Sequence, residues 1–211
     1  MTDKQFTKFK TAQELVDFLK EKRHQYYYHY TTLETLKRIL ESNAFQFTHG
    51  ISERLNDQHE IHNKATIEGH SKNYIFCLTH AQDESVAMWA LYTQMKHDAI
   101  RIKISSEILL NWISECKEKI YARIALPPVE NVKVPYTSKL LLTDVAYCRV
   151  DDQSDRSNEL KFFWDKNETT LNLSEKEDRI EEFAGIIKNV AWEYEQESRI
   201  IISFECEQPK E

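Results

Sequence analysis

Glycine sets the narrowest limit on this chain: among 211 residues only Gly50, Gly69 and Gly185 occur. Loops that cradle phosphates need closely spaced glycines for tight turns and close backbone approach. Neither GxGxxG nor GxxxxGK[ST] can be written with these three. Rossmann dinucleotide binding, Walker-type NTP hydrolysis and the glycine-rich kinase loop are therefore excluded. The four cysteines, Cys77, Cys116, Cys148 and Cys206, form no CxxC pair, so a zinc knuckle or a thioredoxin-type redox pair has no support. The polar opening and the absence of a long apolar run point to a cytoplasmic protein with reduced thiols and no membrane partner. A net charge of −7 argues against a bulk grip on nucleic acid.

Hydrophobic periodicity predicts an α+β fold with helices flanking a mixed or antiparallel sheet. Residues 1–25 read as an N-terminal helix and 26–211 as a single α+β domain. Thr11 to Glu14 has the form of a capping box, followed by Leu15, Val16 and Leu19 on one helix face. Tyr26 to Tyr30 reads as a strand. Thr31 to Glu34 forms a second box, with Leu33, Leu36, Ile39 and Leu40 expected inward. Phe45 to Phe47 and Tyr74 to Leu78 read as strands, and residues 49–69 as a polar loop. Asp83 is expected to cap a short helix carrying Met88, Trp89 and Tyr92. Ala99 to Ile104 alternates as a half-buried strand, and Ser105 or Ser106 opens another helix. Extended pieces are expected at Val129 to Val134 and at Asp144 to Val150. Residues 151–157 read as a connector. A third capping box, Ser174 to Glu177, leads a helix reaching Ile187. Glu193 to Phe204 reads as the last strand.

Three places could carry chemistry. In Tyr28-His29-Tyr30-Thr31, alternation puts His29 and Thr31 on one strand face. A histidine there is either a hydrogen-bonded core residue or part of a cleft. In Glu193 to Arg199, alternation would line up Glu193, Glu195 and Glu197, whose repulsion calls for a facing cation or ligand; the plain alternative is a solvated edge. Trp89 and Tyr92 share a helix face, as core residues or as walls for a planar ligand. His59 and His62 lie three apart without the HExxH pattern, and no metal centre is expected.

Taken in order, Tyr28-His29-Tyr30-Thr31, Asn56-Asp57 with Glu60, Phe76 to Thr79, Met88 to Tyr92, and Lys188 with Trp192 to Arg199 resemble a bacterial family, domain of unknown function 2971. The ends of that pattern are similar to the ADP-ribosyltransferase superfamily, whose split sheet surrounds an NAD cleft. The resemblance implies NAD as substrate, Glu197 as the carboxylate stabilising an oxocarbenium-like transition state, and Glu195 as the group orienting the nucleophile. It makes His29 and Thr31 ribose contacts, with Arg54, Asn56, Asp57, Trp89 and Tyr92 further cofactor contacts. The acceptor would be a protein, nucleic acid or small molecule, with a regulatory partner allowed. Two other readings stay open: a non-catalytic ligand-binding or interaction protein on the same scaffold, and a nuclease or phosphotransferase using His29.

Overall fold

A computed structural model describes residues 7–50, 72–116, 121–124, 130–133, 138–149, 159–165, 167–172 and 183–204. The N-terminal strand β1 (Thr7–Phe9) leads into α1 (Ala12–Glu21). Thr11 caps α1 by accepting from the Glu14 N–H, and Ala12, Leu15, Val16 and Leu19 turn one stripe inward. β2 (Tyr26–Thr32) runs into α2 (Leu33–Ser42), and β3 (Thr48–His49) follows. β4 (Asn73–Thr79), α3 (Val86–Thr93), β5 (Ala99–Ser105) and α4 (Ser106–Cys116) form the middle. Beyond them lie β6 (Tyr121–Ile124), β7 (Glu130–Lys133), β8 (Ser138–Asp144) and β9 (Ala146–Cys148). The hairpin β10 (Glu159–Trp164) and β11 (Asn167–Asn172), then β12 (Ile187–Asn189), a 3-10 turn Val190–Glu195 and β13 (Glu197–Phe204) complete the order.

Two main sheets result. The six-stranded one has the order β5-β2-β4-β13-β8, with β3 also paired to β4; the five-stranded one has the order β1-β11-β10-β9-β12. All pairings are antiparallel except β1 with β11 and β9 with β12. The fold is α+β. Among the described residues no helix is long and apolar enough to cross a membrane.

The run Ile200-Ile201-Ile202 shows why β13 is central. Ile201 packs into the core shared by α1 and the five-stranded sheet. Its neighbour Ile200 faces Tyr27, Phe76, Leu109 and Ile113 on the opposite side. Both faces of the strand are covered, so the usual alternation of apolar and polar residues disappears. Helix α1 is therefore part of the core, not an appendage: Leu15 and Leu19 are fully buried against residues as distant as Phe162 and Leu171.

Several sequence expectations need correction. Thr31 stays in strand β2, and Thr32 caps α2 by accepting from the Thr35 N–H. Leu33 and Leu40 are exposed, because nothing among the described residues covers that side of α2. Phe45 to Phe47 is irregular; its rings pack on Phe76 and the pairing starts at Thr48. Ser85, not Asp83, caps α3. Residues 183–186 form a turn and Ile187 opens a strand, so no helix reaches that point; its proposed start at Ser174 lies outside the described residues. The connector 151–157 also lies outside them.

Candidate functional site

Sheet register decides which of the expected site residues can meet. Tyr28 pairs with Thr79, and Thr79 pairs with Glu197. Residues opposite one another in adjacent strands point to the same side, and neighbours along a strand point to opposite sides. Tyr28, Tyr30, Cys77, Glu197 and Arg199 thus share one face. His29 belongs to the other face, where its ring stacks on Phe76 at 4.5 Å. The strands diverge beyond the Tyr28–Thr79 pair, and His29 fills the gap by donating Nδ1–H to the Cys77 carbonyl at 3.0 Å. Burial lowers its pKa, partly countered by this bond. The sheet therefore separates His29 from Glu197.

The expected ladder of three glutamates is also corrected. Residues 190–195 form a 3-10 turn, Gln196 takes a left-handed conformation (φ 42°), and the strand starts only at Glu197. Glu195 and Glu197 nevertheless converge, because both bind one lysine. Lys188 Nζ lies 2.6 Å from Glu195 Oε2 and 3.0 Å from Glu197 Oε2. Arg199 grips Glu197 with two bonds, Nε to Oε1 at 2.8 Å and Nη2 to Oε2 at 3.0 Å. Its Nη1 donates to the Gly185 carbonyl at 2.9 Å. Tyr92 donates its hydroxyl to Glu195 Oε1 at 3.0 Å, and the Glu197 N–H donates to the Tyr147 hydroxyl. Lys188, Glu195, Glu197 and Arg199 are each at most 3% exposed. Lys188 and Tyr147 come from the five-stranded sheet, and Glu197 and Arg199 from the six-stranded one. The network therefore lies between the sheets.

Burial raises the pKa of both carboxylic acids, and the two then separate. For Glu197 the cations Arg199 and Lys188 outweigh burial and hold the carboxyl well below its usual range. For Glu195 burial and the neighbouring Glu197 charge prevail over Lys188, pushing it up to about 7. The cation expected to face the glutamates exists, as Lys188 and Arg199, and it comes from the protein itself.

Trp89 and Tyr92 do share the Glu197 face. Trp89 meets Tyr30 edge-on at 4.8 Å and donates Nε1–H to Glu84, while Tyr92 joins the buried network. Tyr92 also lines a polar cleft of about 280 Å³ between α2 and the end of α3, with Thr31, Thr32, Thr35, Arg38 and Lys96. Arg54, Asn56 and Asp57 lie outside the described residues.

A second polar cluster was not foreseen from the sequence. Asp144, at the end of β8, accepts from Ser198 Oγ at 2.6 Å, His24 Nε2 at 2.6 Å and Trp164 Nε1 at 2.9 Å. His80, just past β4, donates Nδ1–H to Ser198 Oγ at 2.9 Å, and its ring stacks on His24 at 3.9 Å. Burial pushes His80 down to about 4, so it is neutral at pH 7. Burial raises Asp144, but bonds and charges from His24, His80 and Ser198 together hold it low. His24, His80, Asp144 and Ser198 are spread over nearly the whole sequence, so no local motif marks them. The one available signal is a polar residue at the very end of an apolar strand, as in Leu140 to Asp144 and Phe76 to His80.

An α+β sandwich with an ion-pair network locked between its sheets defines the structural class. The chain belongs to the family described as protein of unknown function (DUF2971), whose model matches residues 88–200, just over half of the sequence. That span holds Tyr92, Lys188, Glu195, Glu197 and Arg199, whereas the Tyr28 to Thr31 segment precedes it. No curated protein and no solved structure matches the chain.

Proposed function

We propose that this protein is a non-catalytic ligand-binding protein on an ADP-ribosyltransferase-like scaffold, with Glu197 as part of the frame. The observation that carries this reading is the state of Glu197: 2% exposed, with both oxygens held by cations of the protein itself. A carboxylate that stabilises a developing oxocarbenium must touch the sugar and keep its charge free to respond. Glu197 meets neither condition, and His29 lies across the sheet from it. The scaffold reading is supported by the order of the three motif strands, β2, β4 and β13, which are consecutive neighbours in one sheet.

NAD is the ligand that the resemblance implies. The cleft beside Tyr92 suits the phosphate-bearing part of such a molecule: four threonines line it with Arg38 and Lys96, although Glu34 pairs with Arg38. A cytoplasmic setting and a regulatory partner belong to the same reading. Titration calorimetry with NAD tests it. Saturable binding that Lys96→Ala weakens by about tenfold, as loss of one charged contact should, is the expected result. Absence of binding by NAD and by ADP would overturn it.

A second reading, NAD-dependent ADP-ribosyl transfer, is favoured by one observation. Glu195, pushed up to about 7 and bonded to Tyr92, has the proton affinity of a general acid or base at neutral pH. It would act once the network opened towards the cleft. Nicotinamide release abolished by Glu195→Gln would favour this reading over the first.

A further inference from the structure

We propose that His24, His80 and Asp144 form a binding site for a divalent first-row metal ion of the zinc type. The three residues arrive from separate elements: the segment between α1 and β2, the residue after β4, and the end of β8. Each offers one ligand atom, and these atoms lie within 4.8 Å of one another. Two imidazoles and one carboxylate are a donor set that zinc takes with water as a fourth ligand.

Three details distinguish the cluster from an ordinary buried hydrogen-bond network. First, His80 Nε2 is buried and has no hydrogen-bond partner among the described residues. With the Nδ1 proton given to Ser198, that nitrogen carries a bare electron pair, and a buried polar atom left without a partner is destabilising. A cation would satisfy it. Second, the outer contacts that metal sites use to orient their ligands are in place. Ser198 and Trp164 hold Asp144, and Ser198 also fixes the ring of His80. Third, the site has a way in: the His24 side chain is 20% exposed, whereas those of His80 and Asp144 are buried.

The stacked rings define the movement that binding requires. Imidazole electron pairs lie in the ring plane, and the planes of His24 and His80 are 3° from parallel at 3.9 Å. Parallel planes at that spacing cannot both contain one ion. His24 must turn, exchanging its bond to Asp144 for a bond to the metal, and the proton it donated leaves to solvent. His24 is the most exposed member, and among the described residues its ring is held by one hydrogen bond, to Asp144, beside its packing on His80 and Tyr27. The bound ion would tie the entry to β2, the end of β4 and the end of β8 on the face of the sheet opposite the glutamate network.

The test is titration of the full-length, chelator-treated protein with Zn²⁺, paired with Co²⁺ and its visible absorption. One equivalent is expected to bind with a tetrahedral Co²⁺ spectrum. Affinity should fall by at least about tenfold in both His24→Gln and His80→Gln, as loss of a ligand demands. No stoichiometric binding, or full affinity in either folded variant, would overturn the site, the latter by moving the ion to other histidines. If His80→Gln does not fold, the partly exposed His24→Gln decides the matter alone.

Discussion

The two faces of the six-stranded sheet solve the same problem in different ways. Between the sheets, two carboxylates and two cations neutralise each other at full burial. On the opposite face the Asp144 carboxylate is held by hydrogen bonds from Ser198, Trp164 and His24. The first arrangement is rigid: Lys188 bridges both glutamates and Arg199 holds Glu197 through two bonds. The second is adaptable, since its members lose or gain one bond at a time and His24 touches solvent. Buried charge is thus not by itself a sign of chemistry. What matters is whether a group has electrons or a proton left to offer, and His80 Nε2 does while Glu197 does not.

The largest expected effect lies in the ion network. Arg199→Met should destabilise by about 3–5 kcal/mol in urea unfolding, because Glu197 would lose its bidentate partner while staying buried. Ser198→Ala in the second cluster should cost less, about 1–3 kcal/mol, because Asp144 and His80 each lose one hydrogen bond while Asp144 keeps those from His24 and Trp164. Equal losses would break the contrast.

The pH dependence sharpens it. Glu195 has a folded pKa of about 7 against an ordinary 4.5, so its contribution is present below 4.5 and is lost as pH rises through 7. His80 is shifted oppositely, to about 4 from 6.5, so its contribution is present above 6.5 and is lost as pH falls through 4. The clusters therefore pull against each other between these limits. The gain in unfolding free energy from about pH 5 to about pH 7 should become more positive in Glu195→Gln and more negative in His80→Gln. Identical profiles for the two variants would contradict the assignment.

The helices give the smallest contrast. Thr11→Ala should cost about 1 kcal/mol, as the loss of a cap on a buried helix does. Leu40→Ala, on the open side of α2, should stay within about 0.5 kcal/mol. A larger loss at Leu40 would mean that something covers it in solution.

These comparisons also mark what the sequence could reveal. Helix α1 and strands β2, β4, β5 and β13 follow from local signals: the Thr11 cap, the apolar stripe of Leu15 and Leu19, and the isoleucine run. Thr11 and Thr32 both cap helices with apolar stripes, yet among the described residues the α1 stripe is buried while that of α2 is half-buried at Leu36 and Ile39 and exposed at Leu33 and Leu40, and coverage depends on distant strands. The strand extending back to Glu193 failed at Gln196, whose left-handed backbone no periodicity announces. The hairpin β10–β11 was missed because Glu159 to Trp164 and Asn167 to Asn172 carry mixed polarity without a glycine turn. Lys188 as partner of the glutamates was within reach, since three carboxylates demanded a cation. The placement of His29 was not, because the alternation of β2 gives two faces without saying which one β13 shares.

The central claim is that Glu197 belongs to the frame and not to a reaction. Nicotinamide release from NAD, measured for wild type, Glu195→Gln and Glu197→Gln in the presence of cell lysate as acceptor, tests it most directly. The account predicts no enzymatic release from any of the three, with NAD recovered intact. Release by the wild type that Glu197→Gln abolishes would contradict it, and would mean that the buried network opens to place this carboxylate against the sugar.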